Sequence, residues 1–490
     1  MTVTVHDERR VVDAVPKSLL VSGEWRHATG GATLPVRDPS TGEVLCEVAD
    51  AGPDDALAAL AAADDVRQSW ARTPARERAE ILRRAFDTLL ERQDDLALLM
   101  TLEMGKPLTE SRTEIAYAAE FLRWFSEEAC RIEGSFKPAP TGPNRILTMR
   151  QPVGPCVLIT PWNFPMAMGT RKIGPAVAAG CTMVVKPASE TPLSMLALAR
   201  IMEDCGLPAG VLNVVTTSSS GRVMEPLIRD RRARKLSFTG STEVGRKLIE
   251  QSAEQVLRVS MELGGNAPFL VFGDADLDAA VEGAFAAKMR NIGEACTAAN
   301  RFLVQESVAD EFSARLSERM GSLVVGRGTE PGVQVGPLIT EKARDGVAEL
   351  VADAVQRGGT ILTGGDPTTD GPGWFYAPTV IRDVPPDARM TSEEIFGPVA
   401  PISTFGTDQE AYERANSTEY GLVSYVYTRD LNRALDAAEA LEFGMVGLNA
   451  GVISTPAAPF GGVKASGFGR EGGREGIEEY LEVKYVGIGR

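Results

Sequence analysis

Between Asp54 and Ala63, and again from Pro74 to Met104, apolar residues recur at every third and fourth position in alanine- and leucine-rich sequence. That spacing predicts amphipathic helices. Thr73 and Pro74 suit the N-cap and first position of the second. After Pro152 the texture changes to short apolar runs, CVLIT at 156–160, CTMVVK at 181–186, VLNVV at 211–215 and KLSFTG at 235–240, each followed by turn or helix-start residues. Such alternation predicts βαβ units around a mostly parallel sheet, an α/β protein. A second series follows Leu263, with FLVF at 269–272 and RFLVQ at 301–305, and with helical segments from Asp276 to Arg290 and from Val308 to Leu323. MVGLNAG at 445–451 and the glycine-rich FGGVKASGFGREGG at 460–473 read as a strand and a loop that approaches something closely. The chain has 490 residues, more than the roughly 250 to 300 at which one core stops growing, so two or three units are expected.

A formal charge of −16 excludes a nucleic-acid surface, which needs an excess of Lys and Arg. No run of about 20 apolar residues calls for a membrane span, and the charged N-terminus lacks a secretory core, so a soluble, cytoplasmic protein is expected. Cys46, Cys130, Cys156, Cys181, Cys205 and Cys296 contain no CxxC pair, which argues against a disulfide framework and a thiolate zinc site. His6 and His27, the two histidines, precede the first predicted helix. No metal site is expected, a Cys-His hydrolase is disfavoured, and a catalytic base must be a carboxylate.

Four segments carry candidate chemistry. Cys296 lies in NIGEACTAANRF, in a helix-to-strand loop where a thiol can be both held and exposed. Glu262 lies in MELGGN, at a strand end beside two glycines. TPWNFP at 160–165 locks Trp162 and Asn163 between two prolines, which suits an oxyanion-binding amide. SFTGSTEVG at 237–245 reads as strand, glycine turn and helix start, whose free N–H groups can hold a phosphate. Taken singly, each also has a plain structural reading: a buried cysteine, a solvated turn carboxylate, a packed tryptophan loop, an ordinary turn.

Together, TPWNFP, VVKPAS, SFTGST, ELGGN, GEAC, EEIFGP and PFGGVKASGFGRE occur in the order of the aldehyde dehydrogenase superfamily, and the chain resembles that family over nearly its whole length. The resemblance implies a Rossmann-like cofactor domain (1–125 and 148–259, with 458–473 returning to it), an α/β catalytic domain (260–457) and a small β-extension for oligomerisation (126–147 and 474–490). It implies that Cys296 attacks the aldehyde, that Asn163 and the Cys296 N–H hold the oxyanion, and that Glu262 activates the hydrolytic water. The cofactor set it implies is Thr160, Pro161, Trp162, Lys186, Ser189, Gly240, Ser241, Gly245, Leu263, Glu394 and Phe396. Within that set Ser241 would lie near the pyrophosphate, Trp162 on the adenosine side, Lys186 at the adenosine ribose, and Glu394 and Phe396 at the nicotinamide ribose and ring.

TRKIGPAVAAGCTMVVKPAS and KMRNIGEACTAANR are most similar to succinate-semialdehyde dehydrogenases, which implies that Arg171, Arg290 and Ser454 bind a distal carboxylate on a small-molecule aldehyde. A guanidinium fork suits that group. Many relatives carry a second cysteine two positions after the nucleophile. Thr297 and Ala298 stand here, and no neighbouring disulfide can form. Relatives that prefer NAD+ commonly have glutamate three residues after the lysine. Ser189 removes that like charge and leaves a hydroxyl donor, so NADP is expected in preference to NAD, with Glu190 the complicating neighbour. A homodimer or homotetramer is implied, without nucleic-acid or membrane partners. Glutarate semialdehyde as substrate, a coenzyme A-acylating enzyme, and a non-catalytic binding protein on the same fold are the alternatives, and Glu262 disfavours the acylating one.

Overall fold

The computed structural model describes residues 3–367 and 371–489. Two large sheets organise the chain. The first has eight strands, in the order Gly467–Phe468, Arg258–Glu262, Lys235–Thr239, Cys156–Ile159, Met183–Lys186, Leu212–Val214, Leu19–Val21 and Glu24–Arg26. Its five strands from Arg258–Glu262 to Leu212–Val214 run parallel and are buried along almost their whole length. Helices cover both faces of such a sheet, which is why its strands read as unbroken apolar runs. Because neighbours share one direction, their carboxyl ends, Glu262, Thr239, Ile159 and Lys186, stand side by side along one edge. Open α/β sheets bind ligands at that edge.

The second sheet has seven strands, Thr360–Thr363, Thr379–Arg382, Val399–Phe405, Ala299–Gln305, Ala267–Val271, Val423–Tyr427 and Met445–Leu448. Three adjacent parallel strands here present their amino ends to the same region. Ala267 pairs with Ala299, and Phe302 with Ile402, so the segments entering these strands, 263–266, 290–298 and 393–398, emerge together. The site therefore forms between the carboxyl edge of one sheet and the amino edge of the other.

A three-stranded antiparallel sheet joins Ser135–Pro138, Arg145–Pro152 and Leu481–Ile488. Arg145–Pro152 continues past residue 147, where the sequence suggested the extension ends. No helix among the described residues is long and apolar enough to cross a membrane.

The helical expectations need three corrections. The segment 74–104 is two helices, Ala75–Glu91 and Gln93–Met104, broken where Arg92 leaves helical geometry at φ −101° and ψ 14°. Pro74 is the N-cap rather than the first helical residue, and Thr73 ends the preceding helix Pro53–Arg72. His6 lies within a first helix, Val5–Asp13, which the apolar spacing did not announce.

The short strand Gly467–Phe468 seals the edge beside Glu262, pairing Gly467 with Glu262 and Phe468 with Met261. Gly467 has φ +106°, and a Cβ there would stand 1.9 Å from the Met261 carbonyl oxygen. Gly467→Ala should therefore cost about 1 to 3 kcal/mol of stability, read from urea unfolding. An unchanged midpoint would contradict this close approach.

Candidate active site

The nucleophile segment is bent before it reaches Cys296. Asn291 and Ile292 both take left-handed backbone angles, φ 56° and 62°, which an isoleucine adopts only when its surroundings force it. The forcing contacts are identifiable. Asn291 Nδ2 donates to the carbonyls of Asn163 (3.0 Å) and Glu294 (2.9 Å), and its main-chain N–H donates to Glu110 Oε2 (3.0 Å). Asn163 answers through its own Nδ2, which donates to the Glu294 carbonyl at 3.0 Å and keeps a second hydrogen. The Asn163 carbonyl also receives Lys106 Nζ at 2.8 Å, a fully buried ammonium paired with Glu114 Oε2 at 2.5 Å. Glu114 Oε1 accepts from the N–H groups of Met166 and Ala167 at the start of helix Ala167–Ala179. The oxyanion candidate and the nucleophile are thus tied to each other and to a helix start.

One cavity of about 230 Å³ is lined by Pro161, Trp162, Asn163, Met168, Thr239, Gly240, Ser241, Leu263, Gly264, Cys296, Glu394 and Phe396. It gathers most of the sequence-predicted catalytic and cofactor residues. The hydroxyls of Thr160 and Thr239 and Asn163 Oδ1 are buried without partners, so these segments keep polar capacity for a bound group. Ser241 is the N-cap of helix Thr242–Ala253, and Gly245 on its first turn lies against Leu263. The first amides of that helix lack intrahelical partners and suit a phosphate. These features fit a dinucleotide. Trp162 stands edge-on to Phe396, ring centroids 5.6 Å apart. It therefore stands beside the residue that the resemblance assigns to the nicotinamide ring.

At the other end, Lys186 is buried and burial lowers its pKa to about 8, against the opposing pull of Glu190. Ser189 Oγ donates to Glu190 Oε2 at 3.1 Å. The free hydroxyl donor expected at Ser189 is already committed, which corrects that part of the cofactor argument.

Glu262, the last residue of its strand, is buried with Oε2 unpartnered. Burial holds its carboxyl well above the usual range, and Glu471 adds to that, while Arg171, Lys172 and Arg470 oppose it. Glu471 bonds Lys172 Nζ at 2.5 Å and faces Arg171 Nε at 2.9 Å, and these cations outweigh burial to keep it below the usual range. Burial pushes the Cys296 thiol up to about 12; Arg171 pulls down, Glu394 and Glu262 push up, and Arg290 pulls down.

A second, much smaller recess of about 10 Å³ is lined by Arg290, Ala295, Thr297, Tyr425, Ser454 and Phe460 among others, so that the two neighbours of Cys296 face it. Arg290 stands over the rings of Tyr117 (5.4 Å) and Phe164 (5.2 Å) and makes no ion pair among the described residues. Ser454 Oγ bonds the Tyr117 hydroxyl. Arg171 is held between Phe460 (3.9 Å) and Glu471, with Nη2 buried and unpartnered. The sequence reading missed Lys106, Glu114, Asn291 and Glu471; Asn291 and Glu471 lay within quoted motifs, but no role was given to them.

The profile of the aldehyde dehydrogenase family matches residues 25–486. A succinate-semialdehyde dehydrogenase of Paenarthrobacter nicotinovorans is 62% identical over 91% of this chain and 99% of its own. An NADP(+) succinate-semialdehyde dehydrogenase of Escherichia coli is 52% identical over 96% of this chain and 97% of its own, and a glutarate-semialdehyde dehydrogenase of Pseudomonas aeruginosa matches with the same identity and coverage. The crystal structure of an E. coli NADP-dependent enzyme superposes with a TM-score of 0.96 at 51% identity, covering 98% of this chain and 99% of that one.

A thiol raised to about 12 is protonated at neutrality in the cofactor-free protein. Only the thiolate is alkylated, so labelling of Cys296 by iodoacetamide should rise about tenfold per pH unit through pH ~10. Peptide mass spectrometry follows the rate, and a plateau below pH ~8 would contradict the buried-thiol account.

Proposed function

The chain belongs to the aldehyde dehydrogenase family, and from that premise we propose that it oxidises succinate semialdehyde, or a closely similar carboxylated semialdehyde such as glutarate semialdehyde, with NADP+ preferred and NAD+ also used. The observation that carries the reading is that Cys296 stands between two recesses. One holds Asn163, Glu394 and Phe396, and the other holds Arg290 and Ser454.

The Cys296 thiolate forms a C–S bond with the aldehyde carbon while the Asn163 amide and the Cys296 N–H receive the oxyanion. A bound NAD(P)+, held by Ser241, Lys186, Glu394 and Phe396, would supply the hydride acceptor that turns the hemithioacetal into a thioester. Glu262 then takes a proton from water as the water oxygen attacks the acyl carbon, and the thiolate leaves. Burial holds its carboxyl well above the usual carboxylate range, which makes it a stronger base than a solvated glutamate. Arg290, with no carboxylate of its own, and the free Nη2 of Arg171 suit the substrate's distal carboxylate, and Ser454 adds a hydroxyl.

The eight-stranded sheet serves the cofactor and the seven-stranded sheet carries the nucleophile. Exposed Phe136, Val483 and Tyr485 on the three-stranded extension support a homodimer or homotetramer built through that sheet. Six free cysteines fit a cytoplasmic setting.

Initial rates on carboxylated and uncharged aldehydes, with each coenzyme in parallel, test the reading. Arg290→Ala should raise KM for succinate semialdehyde about tenfold to a hundredfold while leaving an uncharged aldehyde of similar length little affected. Equal losses on both would mark Arg290 as structural. Ser189→Glu should raise KM for NADP+ well above its effect on NAD+, and an unchanged coenzyme ratio would refute the assignment of this segment to the 2′-phosphate.

A further inference from the structure

Lys288 is a lysine with no surface. It lies in the last turn of helix Leu277–Met289, is fully buried, and takes no part in the chemistry proposed above. Its Nζ donates to Asn300 Oδ1 at 2.8 Å and to the Ile395 carbonyl at 3.4 Å. Residues 288 and 300 flank Cys296 on either side. Ile395 lies between Glu394 and Phe396, two residues of the cavity wall. Burying an ammonium is costly unless an opposite charge answers it. Lys288 makes no direct ion pair among the described residues, and the Glu394 carboxylate acts on it at longer range, opposing the effect of burial.

Glu394 is itself held from the far side, where Oε1 accepts from the Gly265 N–H at 3.0 Å. The two segments also touch through main chain. Gly293, at φ +80°, would place a Cβ 2.2 Å from the Gly397 carbonyl oxygen, so only glycine lets the nucleophile segment lie flat on the EEIFGP loop. Lys288 and Gly293 are therefore two ends of one seam between the thiol's segment and the wall opposite it.

We propose that Lys288 is a positioning residue for the cofactor: its bonds to Asn300 and to the Ile395 carbonyl pin the Glu394–Phe396 wall, whose carboxylate accepts the cofactor's hydroxyl donors, to both flanks of the nucleophile segment. This rests on the reading that the cavity holds a dinucleotide. A protonated Glu394 would have one oxygen spent as a donor, while an ionised one can receive two ribose hydroxyls. Burial pushes Glu394 up to about 7, with Gly265 and Lys288 opposing, and burial brings Lys288 down to about 7, with Glu394 opposing. Besides Lys288, Cys296 and Tyr420 are the titratable groups that feel Glu394. Both are neutral at pH 7, since burial raises each above its ordinary value.

The sign follows. Glu394 is ionised above its pKa, so NADPH affinity should be full on the alkaline side and fall as pH drops through about 7. Removing the Lys288 cation raises the Glu394 pKa and moves this acid limb to higher pH.

The test is fluorescence titration with NADPH from about pH 6 to 9.5 for the wild type, Lys288→Met, Lys288→Gln and Glu394→Gln. Lys288→Gln keeps hydrogen-bond donors without charge and serves if the methionine variant does not fold. Both lysine variants should move the acid limb up by about one unit, bind NADPH about fivefold more weakly at pH 7, and recover towards pH 9, where Lys288 is neutral in the wild type too. In the Glu394→Gln background, Lys288→Gln should add little. Titration of Lys186 near 8 is common to all four proteins and cancels in their ratios. Unchanged affinity, or a loss equal at every pH, would overturn the positioning role alone. Absence of NADPH binding by the wild type would remove the cofactor reading and this inference together.

Discussion

The structure depends on what converges on the carbonyl oxygen of Asn163. Lys106 and Asn291 both donate to it, one from the helical region preceding the first sheet's central strands and the other from the nucleophile segment of the second sheet. Through that atom the carboxyl edge of one sheet is registered against the amino edge of the other. The arrangement has internal costs. Lys106 is a buried charge, tolerable because Glu114 neutralises it, and removing one partner of such a pair typically costs about 3 to 5 kcal/mol. Asn291 and Ile292 each hold a left-handed backbone worth about 1 to 3 kcal/mol of strain. These costs persist because the same contacts aim the Asn163 amide and Cys296 into one cavity.

A second consequence is a resting site that is electrically quiet where the chemistry occurs. Burial favours the neutral forms of Cys296 and Glu262, while the charges that persist nearby, Arg171, Lys172 and Glu471, largely satisfy one another. Ionisation of the thiol then depends on what enters. In the proposed reading, a cationic cofactor ring on one side and a substrate carboxylate at Arg290 on the other act on groups poised in low dielectric, where charges count for more than in water. Dryness also protects a thioester until Glu262 and a water are in place.

What the sequence could reveal follows from which contacts are local. The strands Cys156–Ile159, Met183–Lys186, Leu212–Val214 and Lys235–Thr239, the helix start at Ser241 and the strand end at Glu262 are written in short runs, and the structure has them where the sequence predicts, whereas the edge strands Leu19–Val21, Glu24–Arg26 and Gly467–Phe468 were not announced. The break at Arg92 was hidden because the apolar spacing continues through it. The contact of Trp162 with Phe396 was not legible because the two residues are 234 apart in the chain. Lys106, Asn291 and Lys288 carried no local signal, since each earns its position from a partner in another segment of the fold. The Ser189–Glu190 bond was local, yet a hydroxyl's choice of acceptor depends on backbone geometry that composition does not show.

The central claim is that Cys296 carries the acyl group and Glu262 releases it. Intact-protein and peptide mass spectrometry of acid-quenched Glu262→Gln, mixed with succinate semialdehyde and NADP+, tests this most directly. The account predicts a mass gain of one succinyl group confined to the peptide containing Cys296, accumulating in step with a single turnover of NADPH. NADPH formation without any adduct on that peptide, or an adduct on another residue, would contradict it.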